Sequence, residues 1–232
     1  MPAKEDEAIQ VIAKLYEAAI RPARWRDALE GLRTAFGGAK SIAFVHDTET
    51  GQMPLWFGVG TEDGKDEYIE DIHFINPCAQ FCMTHRPGTV AWDHRVLPER
   101  AMDRHPFYDW LRRQSLRYFL GTRLFEDGPL NGFASVNWSA SHGHADEKDV
   151  ELFRRLQPHL ERALRLTVET RRHEARSTAL DAALHLFDFG IVLLDARGKV
   201  VFANAFAERI FARCDGPARD SSAQQSPRTA GP

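Results

Sequence analysis

Apolar positions recur at helical spacing in the first 36 residues of the chain. Residues 6–20 place an apolar stripe on one side of a helix, and Arg21-Pro22 ends it. Residues 24–36 repeat the stripe until two glycines stop it. The pattern predicts two antiparallel helices at the start of the domain.

Strand-like runs follow the two helices. Residues 41–47 and 53–60 are predicted to form a hairpin across the turn at Thr50-Gly51. Pro54 cannot donate a hydrogen bond to a neighbouring strand. The second strand is therefore expected to begin after Pro54 or to lie at the edge of the sheet.

The remaining pattern predicts two shorter helices, over residues 62–74 and 105–116. A second hairpin pairs residues 118–126 with 130–139, and a long helix follows over residues 146–168. In the last strand Ser135 and Asn137 share a side with Phe133. Small polar residues on a central strand indicate that this face lines something other than a dry core.

The long helix is predicted to start at Asp146, which can cap it, and to continue past a bend or restart at Pro158. Its apolar stripe ends near Val168, and residues 169–187 are expected to form a helical connector. The order of elements predicts an α+β fold with a central antiparallel sheet flanked by helices. That layout is typical of GAF- and PAS-like sensory domains.

A sharper signal lies further along the chain. Residues 188–213 contain two short apolar strands around a turn, then Asn204 placed to cap a helix. This segment resembles the opening β-turn-β-helix of a PAS domain and is too short for a whole one. The predicted organisation is a sensory domain over residues 1–168 and a helical connector over 169–187. A partial PAS-like segment over 188–213 and a disordered tail over 214–232 follow.

Composition narrows the class of protein. A hydrophobic fraction of 43% fits a globular chain, and a net charge of −3 gives no basic field that would attract nucleic acid. No stretch is long and apolar enough for a membrane span, and the N-terminus is too acidic for a signal peptide. A cytoplasmic protein without a membrane partner is expected, with three reduced cysteines.

One cluster could in principle bind a metal. Cys78 and Cys82 are flanked by His73 and His85, and four such side chains could hold zinc. The spacing is not that of a common zinc finger, and cysteines four residues apart on a short helix are ordinarily buried apolar residues. We interpret the cysteines as packing and predict no metal, with a metal-dependent enzyme as the least favoured alternative.

The sequence shows no convincing catalytic set. It lacks a G-x-S-x-G elbow, a Walker loop and a complete dinucleotide fingerprint. The pair His46-Asp47 is interpreted as the solvated end of a hairpin. We therefore predict a protein that is not an enzyme and carries no cofactor.

Aromatic residues point instead to a pocket for a small, partly apolar ligand. Tryptophan and tyrosine combine apolar bulk with one hydrogen-bonding group. One pocket wall is predicted in the stretch from Ile72 to Asp93, which holds turns, cysteines and a tryptophan. The predicted ligand-binding residues are Trp92, Asn76, Tyr68, Trp110, Ser135 and Trp56.

In the order of its elements and in a few residues, the chain over residues 6–168 resembles the N-terminal ligand-binding domain of LuxR-type transcriptional regulators. The resemblance rests on the turn at Asn76-Pro77, on Trp92 after a Pro-Gly turn, on Gly121, and on the Gly-x-x-Ser strand that ends at Ser135.

The resemblance implies a site in which a tryptophan indole and an aspartate hold an acyl-homoserine lactone, assisted by a serine and a tyrosine. Here Asn76 stands where the acidic residue belongs, and its amide oxygen is a weaker acceptor than a carboxylate. The family also joins this domain to a C-terminal helix-turn-helix, which this sequence lacks. We further predict a homodimer that forms through the helices of residues 146–185. The main alternative is an interaction or dimerisation module whose pocket is filled by its own side chains.

Overall fold

A computed structural model describes residues 2–61 and 64–214, the side chains of 6–61 and 64–213 among them. The chain forms two compact units, one up to Thr170 and the other from Arg171. Of the tail predicted to be disordered, only Cys214 lies within the described residues, as the last residue of a helix.

The first unit is built on a five-stranded antiparallel sheet with the order β2-β1-β5-β4-β3. Its strands are β1 Lys40–Asp47, β2 Leu55–Val59, β3 Val90–Trp92, β4 Tyr118–Asp127 and β5 Leu130–Trp138. The second strand starts after Pro54 and lies at an edge, as predicted. The α+β class with a central antiparallel sheet is confirmed.

Helices cover both faces of this sheet. In chain order they are α1 Pro2–Ile20, α2 Trp25–Ala35, α3 Lys65–Glu67, α4 His73–Ile75, α5 Pro77–Thr84, α6 Asp93–Val96, α7 Glu99–Met102, α8 Pro106–Arg113 and α9 Glu147–His185. The helix predicted over residues 62–74 is divided among α3, a π-helical turn at Tyr68–Ile72, and α4. Such π turns are often found at functional sites.

One face of the sheet packs against α1, α2 and the first half of α9. Its cluster includes the fully buried Leu29, Trp138 and Phe153. The indole N–H of Trp25 in α2 donates to Thr167 Oγ1 in α9 at 2.9 Å. This hydrogen bond satisfies two buried polar groups and joins the helices that cover this face.

The other face carries a second cluster, in which Phe44, Phe119 and Phe133 from the sheet pack against residues of α5 and α8. Side chains alternate along a strand, so Phe133, Ser135 and Asn137 point to this face while Ala134, Val136 and Trp138 point to the first. We call the two sides the dry face and the cavity face.

The long helix α9 extends over 39 residues and passes through Pro158 without interruption. At its start Asp146 Oδ1 accepts the backbone N–H of Asp149, and Asp149 Oδ2 accepts that of Asp146, which is a reciprocal cap. Its side chains are buried at helical spacing up to Val168 and are almost all exposed from 171 onward. Despite its length, neither α9 nor any other helix among the described residues is apolar enough to span a membrane.

The second unit contains the hairpin β6 Val192–Leu194 and β7 Val200–Ala203, followed by α10 Ala205–Cys214. Asn204 is fully buried, and its Oδ1 accepts the backbone N–H groups of Ala207 and Ile191. The predicted β-turn-β-helix and its asparagine cap are therefore present.

Candidate ligand-binding cavity

A cavity of about 60 Å³ lies between the cavity face of the sheet and the helices that cover it. About 10–15 Å³ is enough to hold one water molecule, so the space accommodates only a few. Its lining residues are mostly apolar: Ile42, Phe44, Trp56, Tyr68, Cys78, Ala79, Cys82, Phe107, Trp110, Leu111, Leu116, Phe119, Phe133 and Ala134. The polar lining comes from Lys40, Thr61, Lys65, Asn76, Thr122, Ser135 and Asn137. A larger ligand must displace some of these side chains.

The floor of the cavity is set by strand pairing. Ser135 on β5 lies between Ile42 on β1 and Gly121 on β4. A Cβ on residue 121 would come within 2.7 Å of Ser135 Cβ and within 2.6 Å of the Ala134 carbonyl oxygen. Glycine is required at this position because any side chain would collide with the floor.

Asn76 and Tyr68 form a hydrogen-bonded pair in the cavity wall. Asn76 Oδ1 caps α5 by accepting the backbone N–H groups of Cys78 at 3.0 Å and Ala79 at 3.2 Å. Its Nδ2 donates to the Tyr68 hydroxyl at 3.1 Å. The oxygen of Asn76 is thus used by the helix, while its N–H group orients the tyrosine.

Burial raises the pKa of Tyr68 to about 12, so its hydroxyl remains protonated at neutral pH. That oxygen already accepts from Asn76. Its own hydrogen can therefore be donated to a ligand acceptor.

The two cavity tryptophans differ in their hydrogen bonding. Trp110 Nε1 donates to Glu67 Oε2 at 2.8 Å. Trp56 stacks on Phe44 with ring centroids 5.4 Å apart, and its buried Nε1 has no partner among the described residues. Since buried polar atoms are nearly always paired, the unpaired Trp56 indole N–H is a donor that a ligand acceptor could satisfy.

Of the six predicted ligand-binding residues, Trp56, Tyr68, Asn76, Trp110 and Ser135 line the cavity and Trp92 does not. In the three-residue strand β3, Ala91 points to the cavity face, so its neighbour Trp92 packs against the dry-face cluster. The guanidinium of Arg95 lies 5.2 Å from its ring centroid. The placement of Trp92 in the pocket wall is therefore corrected.

Cys78 and Cys82 are buried in the cavity wall as free thiols. Burial raises the pKa of Cys82 to about 11 and shifts that of Cys78 in the same direction, which makes both poor nucleophiles at neutral pH. His85 Nδ1 instead contacts the carbonyl oxygen of Phe81. Within the described parts of the chain, no group of three or more His, Cys, Asp or Glu side chains is arranged to hold a metal.

Two features of this side of the molecule were not predicted. Asp93 is buried, and it accepts the Tyr108 hydroxyl at 2.7 Å and the backbone N–H of Phe119. Burial raises the pKa of Asp93 to about 6, with these hydrogen bonds partly opposing the shift. The sequence offers no signal for this bond, since Asp93 and Tyr108 lie on different helices.

The other unpredicted feature is the burial of His46, which was expected to lie with Asp47 at a solvated hairpin end. Asp47 Oδ1 accepts the backbone N–H groups of Glu49 and Thr50 in the turn. His46 is on the same side of β1 as Phe44, and its Nε2 is buried. The prediction is therefore wrong for His46, because strand alternation directs its ring into the protein.

No protein-family model and no curated protein matches this sequence. Its structure is similar to that of the VqsR LBD domain from Pseudomonas aeruginosa, with 16% identity, a TM-score of 0.55, and coverage of 69% of this chain and 95% of that one. It is also similar to the N-acylhomoserine lactone dependent LuxR family transcription factor CepR2 from Burkholderia cenocepacia, with 12% identity, a TM-score of 0.54, and coverage of 72% of this chain and 98% of that one. SdiA from Escherichia coli has 12% identity and a TM-score of 0.51, with coverage of 69% of this chain and 68% of that one. The chain therefore has the fold of the VqsR LBD domain and of a LuxR family transcription factor, in agreement with the resemblance seen in the sequence.

Proposed function

We propose that this chain is a sensory module that binds a small, partly apolar molecule in the cavity described above. The observation that supports this most directly is the unpaired indole N–H of Trp56, which is buried in a cavity lined by aromatic rings. A buried donor without a partner destabilises the empty protein by about 1–3 kcal/mol. A ligand acceptor that reaches Trp56 removes this cost.

The lining defines the chemistry of the proposed ligand. Trp56 Nε1 and the Tyr68 hydroxyl both offer hydrogens, and Ser135 can donate or accept. Aromatic rings such as Phe44, Phe119 and Phe133 provide a flat apolar surface. The best fit is a molecule with one or two carbonyl or carboxylate oxygens attached to a planar or short apolar body.

The proposed output is a change in helix packing. Asn76 joins the cavity to the start of α5, and Trp110 joins it to α8. A ligand that moves Tyr68 or Trp110 shifts the population of helix arrangements on this face. We place the homodimer interface on residues 146–185, where α9 leaves most side chains beyond 171 exposed. The chain itself makes no direct contact with nucleic acid in this proposal.

Thermal unfolding with a ligand panel tests the proposal. The panel contains acyl-homoserine lactones, aromatic carboxylates and aromatic amides, tested on the whole chain. At least one class should raise the unfolding temperature of the wild type, and Trp56→Phe should weaken that binding about tenfold through loss of one hydrogen bond. The matched control, Trp92→Phe, removes the same group on the dry face and should bind like the wild type.

The proposal would be contradicted if no compound stabilised the protein, or if Trp56→Phe and Trp92→Phe weakened binding equally.

One observation favours a second candidate function, an interaction module with a filled pocket, because the cavity is small and Phe44, Trp56 and Phe133 stack closely. Xenon-pressurised crystals separate the two functions. Xenon enters a ligand cavity and is excluded from a core filled by its own side chains.

A further inference from the structure

A second cavity adjoins the first and shares the side chains of Phe44, Tyr68 and Phe133 with it. Two histidines from separate elements face this space, His46 from β1 and His73 from α4. The sequence prediction gave His46 no role, and the predicted alternative metal cluster paired His73 with the cysteines. Neither histidine lines the ligand cavity described above.

The Nε2 atoms of both histidines are buried and have no hydrogen-bond partner among the described residues. His73 Nδ1 lies 3.2 Å from the carbonyl oxygen of Tyr68 and donates its hydrogen to it. With this hydrogen on Nδ1, the imidazole tautomer has its lone pair on Nε2. A backbone carbonyl that fixes the tautomer in this way is the usual second partner of a metal-binding histidine.

The distance between the rings fits a shared metal ion. The ring centroids of His46 and His73 are 5.2 Å apart, with an angle of 68° between the ring planes. Two imidazoles bound through Nε2 at about 2.0 Å to one tetrahedral metal place their centroids about 5 Å apart. The measured separation of the ring centroids is therefore compatible with one ion shared by the two rings.

The remaining lining indicates which metal would fit. Met53 and Met83 line the same cavity, and thioether sulfur with imidazole selects Cu(I) over zinc, magnesium or calcium. Methionine side chains are flexible enough to turn toward an ion. The Arg123 guanidinium contacts Met83 Sδ at 3.9 Å and is also paired with Glu126 at 3.2 Å, so Met83 must leave this contact before it can bind an ion.

We propose that His46, His73 and at least one of the thioethers of Met53 and Met83 bind one Cu(I) ion. Burial and the neighbouring His73 ring lower the pKa of His46, while Asp47 opposes the shift. The buried Nε2 of His46 has no partner among the described residues and is the atom assigned to the ion. This site is separate from the ligand cavity and does not depend on the sensory function proposed for it.

Anaerobic titration of the whole chain with Cu(I), in competition with a chromogenic Cu(I) chelator, tests the site. One Cu(I) should bind per chain. His46→Ala and His73→Ala should each weaken binding at least about 100-fold, since even outer partners of a metal site are worth 10–100-fold. Met83→Leu should cause a smaller loss. His85→Ala, which changes an exposed histidine near the end of α5, should bind like the wild type.

Absence of stoichiometric Cu(I) binding, or an affinity unchanged in the His46→Ala, His73→Ala double variant, would overturn the site. A loss of binding in Cys78→Ser, Cys82→Ser without a loss in the histidine variants would also overturn it, because the thiols would then hold the ion. The copper X-ray absorption edge of the loaded wild type gives a readout that does not depend on variant folding. Two nitrogen and at least one sulfur neighbours support the proposal, and sulfur neighbours alone refute it.

Discussion

The two faces of the central sheet differ in how their buried polar atoms are satisfied. On the dry face, Trp138 Nε1 donates to the Phe36 carbonyl oxygen and Ser41 Oγ donates to that of Leu29. Within the described residues, the buried side-chain atoms without a partner belong to His46, Trp56, His73 and Arg123, all on the cavity face.

This difference indicates that the two faces of one sheet have different roles, stability on the dry face and binding on the cavity face. Paired polar atoms and close packing make the dry face a source of stability. Unpaired nitrogens and open space reduce the stability of the cavity face and leave groups for partners. Three predictions test whether the division holds.

The largest effect is expected in the core of the dry face. Phe153→Ala removes a fully buried ring from α9 and should lower the free energy of unfolding by about 3–5 kcal/mol. The matched change Phe133→Ala on the cavity face should cost less, because that ring already borders open space. Urea unfolding of both variants measures the difference. Equal losses would show that the two faces are packed alike.

The second prediction concerns the buried carboxyl of Asp93 behind the cavity face. Its folded pKa of about 6 lies above the unfolded value of about 3.9. Between these values the folded chain binds more protons than the unfolded chain, so this group's stabilisation is lost as pH rises from about 4 to 6. Deprotonation of Asp93 should lower the free energy of unfolding by about 3 kcal/mol across this pH window.

The control variant Asp93→Asn has no titrating group and can keep both hydrogen bonds, since the Tyr108 hydroxyl can accept as well as donate. Urea unfolding at several pH values should show a shallower fall in stability for this variant than for the wild type. Parallel curves for the two proteins would mean that the pKa of Asp93 is not raised in the folded chain.

The smallest effect is expected at the wall of the ligand cavity. Asn76→Ala removes the cap of α5 and should cost about 1 kcal/mol of unfolding free energy. Asn76→Asp keeps the cap but reverses the bond to Tyr68, whose hydroxyl must then donate to the carboxylate. We expect Asn76→Asp to retain most of the stability and to lose ligand affinity, measured by urea unfolding and calorimetry.

A ligand that binds Asn76→Asp as tightly as the wild type would show that the Tyr68 hydrogen is not used. The contrast between the two variants separates the structural role of Asn76 from its role in the cavity. Both roles belong to one side chain because its oxygen faces the helix and its N–H group faces the tyrosine.

Much of the fold follows from local patterns in the sequence. Pro54 correctly placed the start of the edge strand β2, and the alternation around Ser135 correctly distinguished the two sides of β5. Asn204 was correctly predicted to cap α10. Each of these predictions depends on neighbours within a few residues, so no tertiary information is needed.

The errors have a different physical origin. The strand β3 has only three residues, too few to show alternation, and a shift of one residue moves a side chain to the other face. Trp92 was placed in the pocket wall by the family resemblance, and so short a strand shows no alternation that would correct this placement. The roles of Asp93 and His46 depend on Tyr108 and His73, which approach them only after the chain folds.

The glycine beside Ser135 has a consequence for redesigning the cavity to accept other molecules. Residue 121 contributes no side chain, and none fits there, so substitutions at this point of the floor cannot tune specificity. The shape can instead be changed from the walls, where replacing Phe119 or Phe133 by a smaller residue adds room without touching the backbone. A library that varies the wall rings and keeps Gly121 fixed should retain the largest fraction of folded variants.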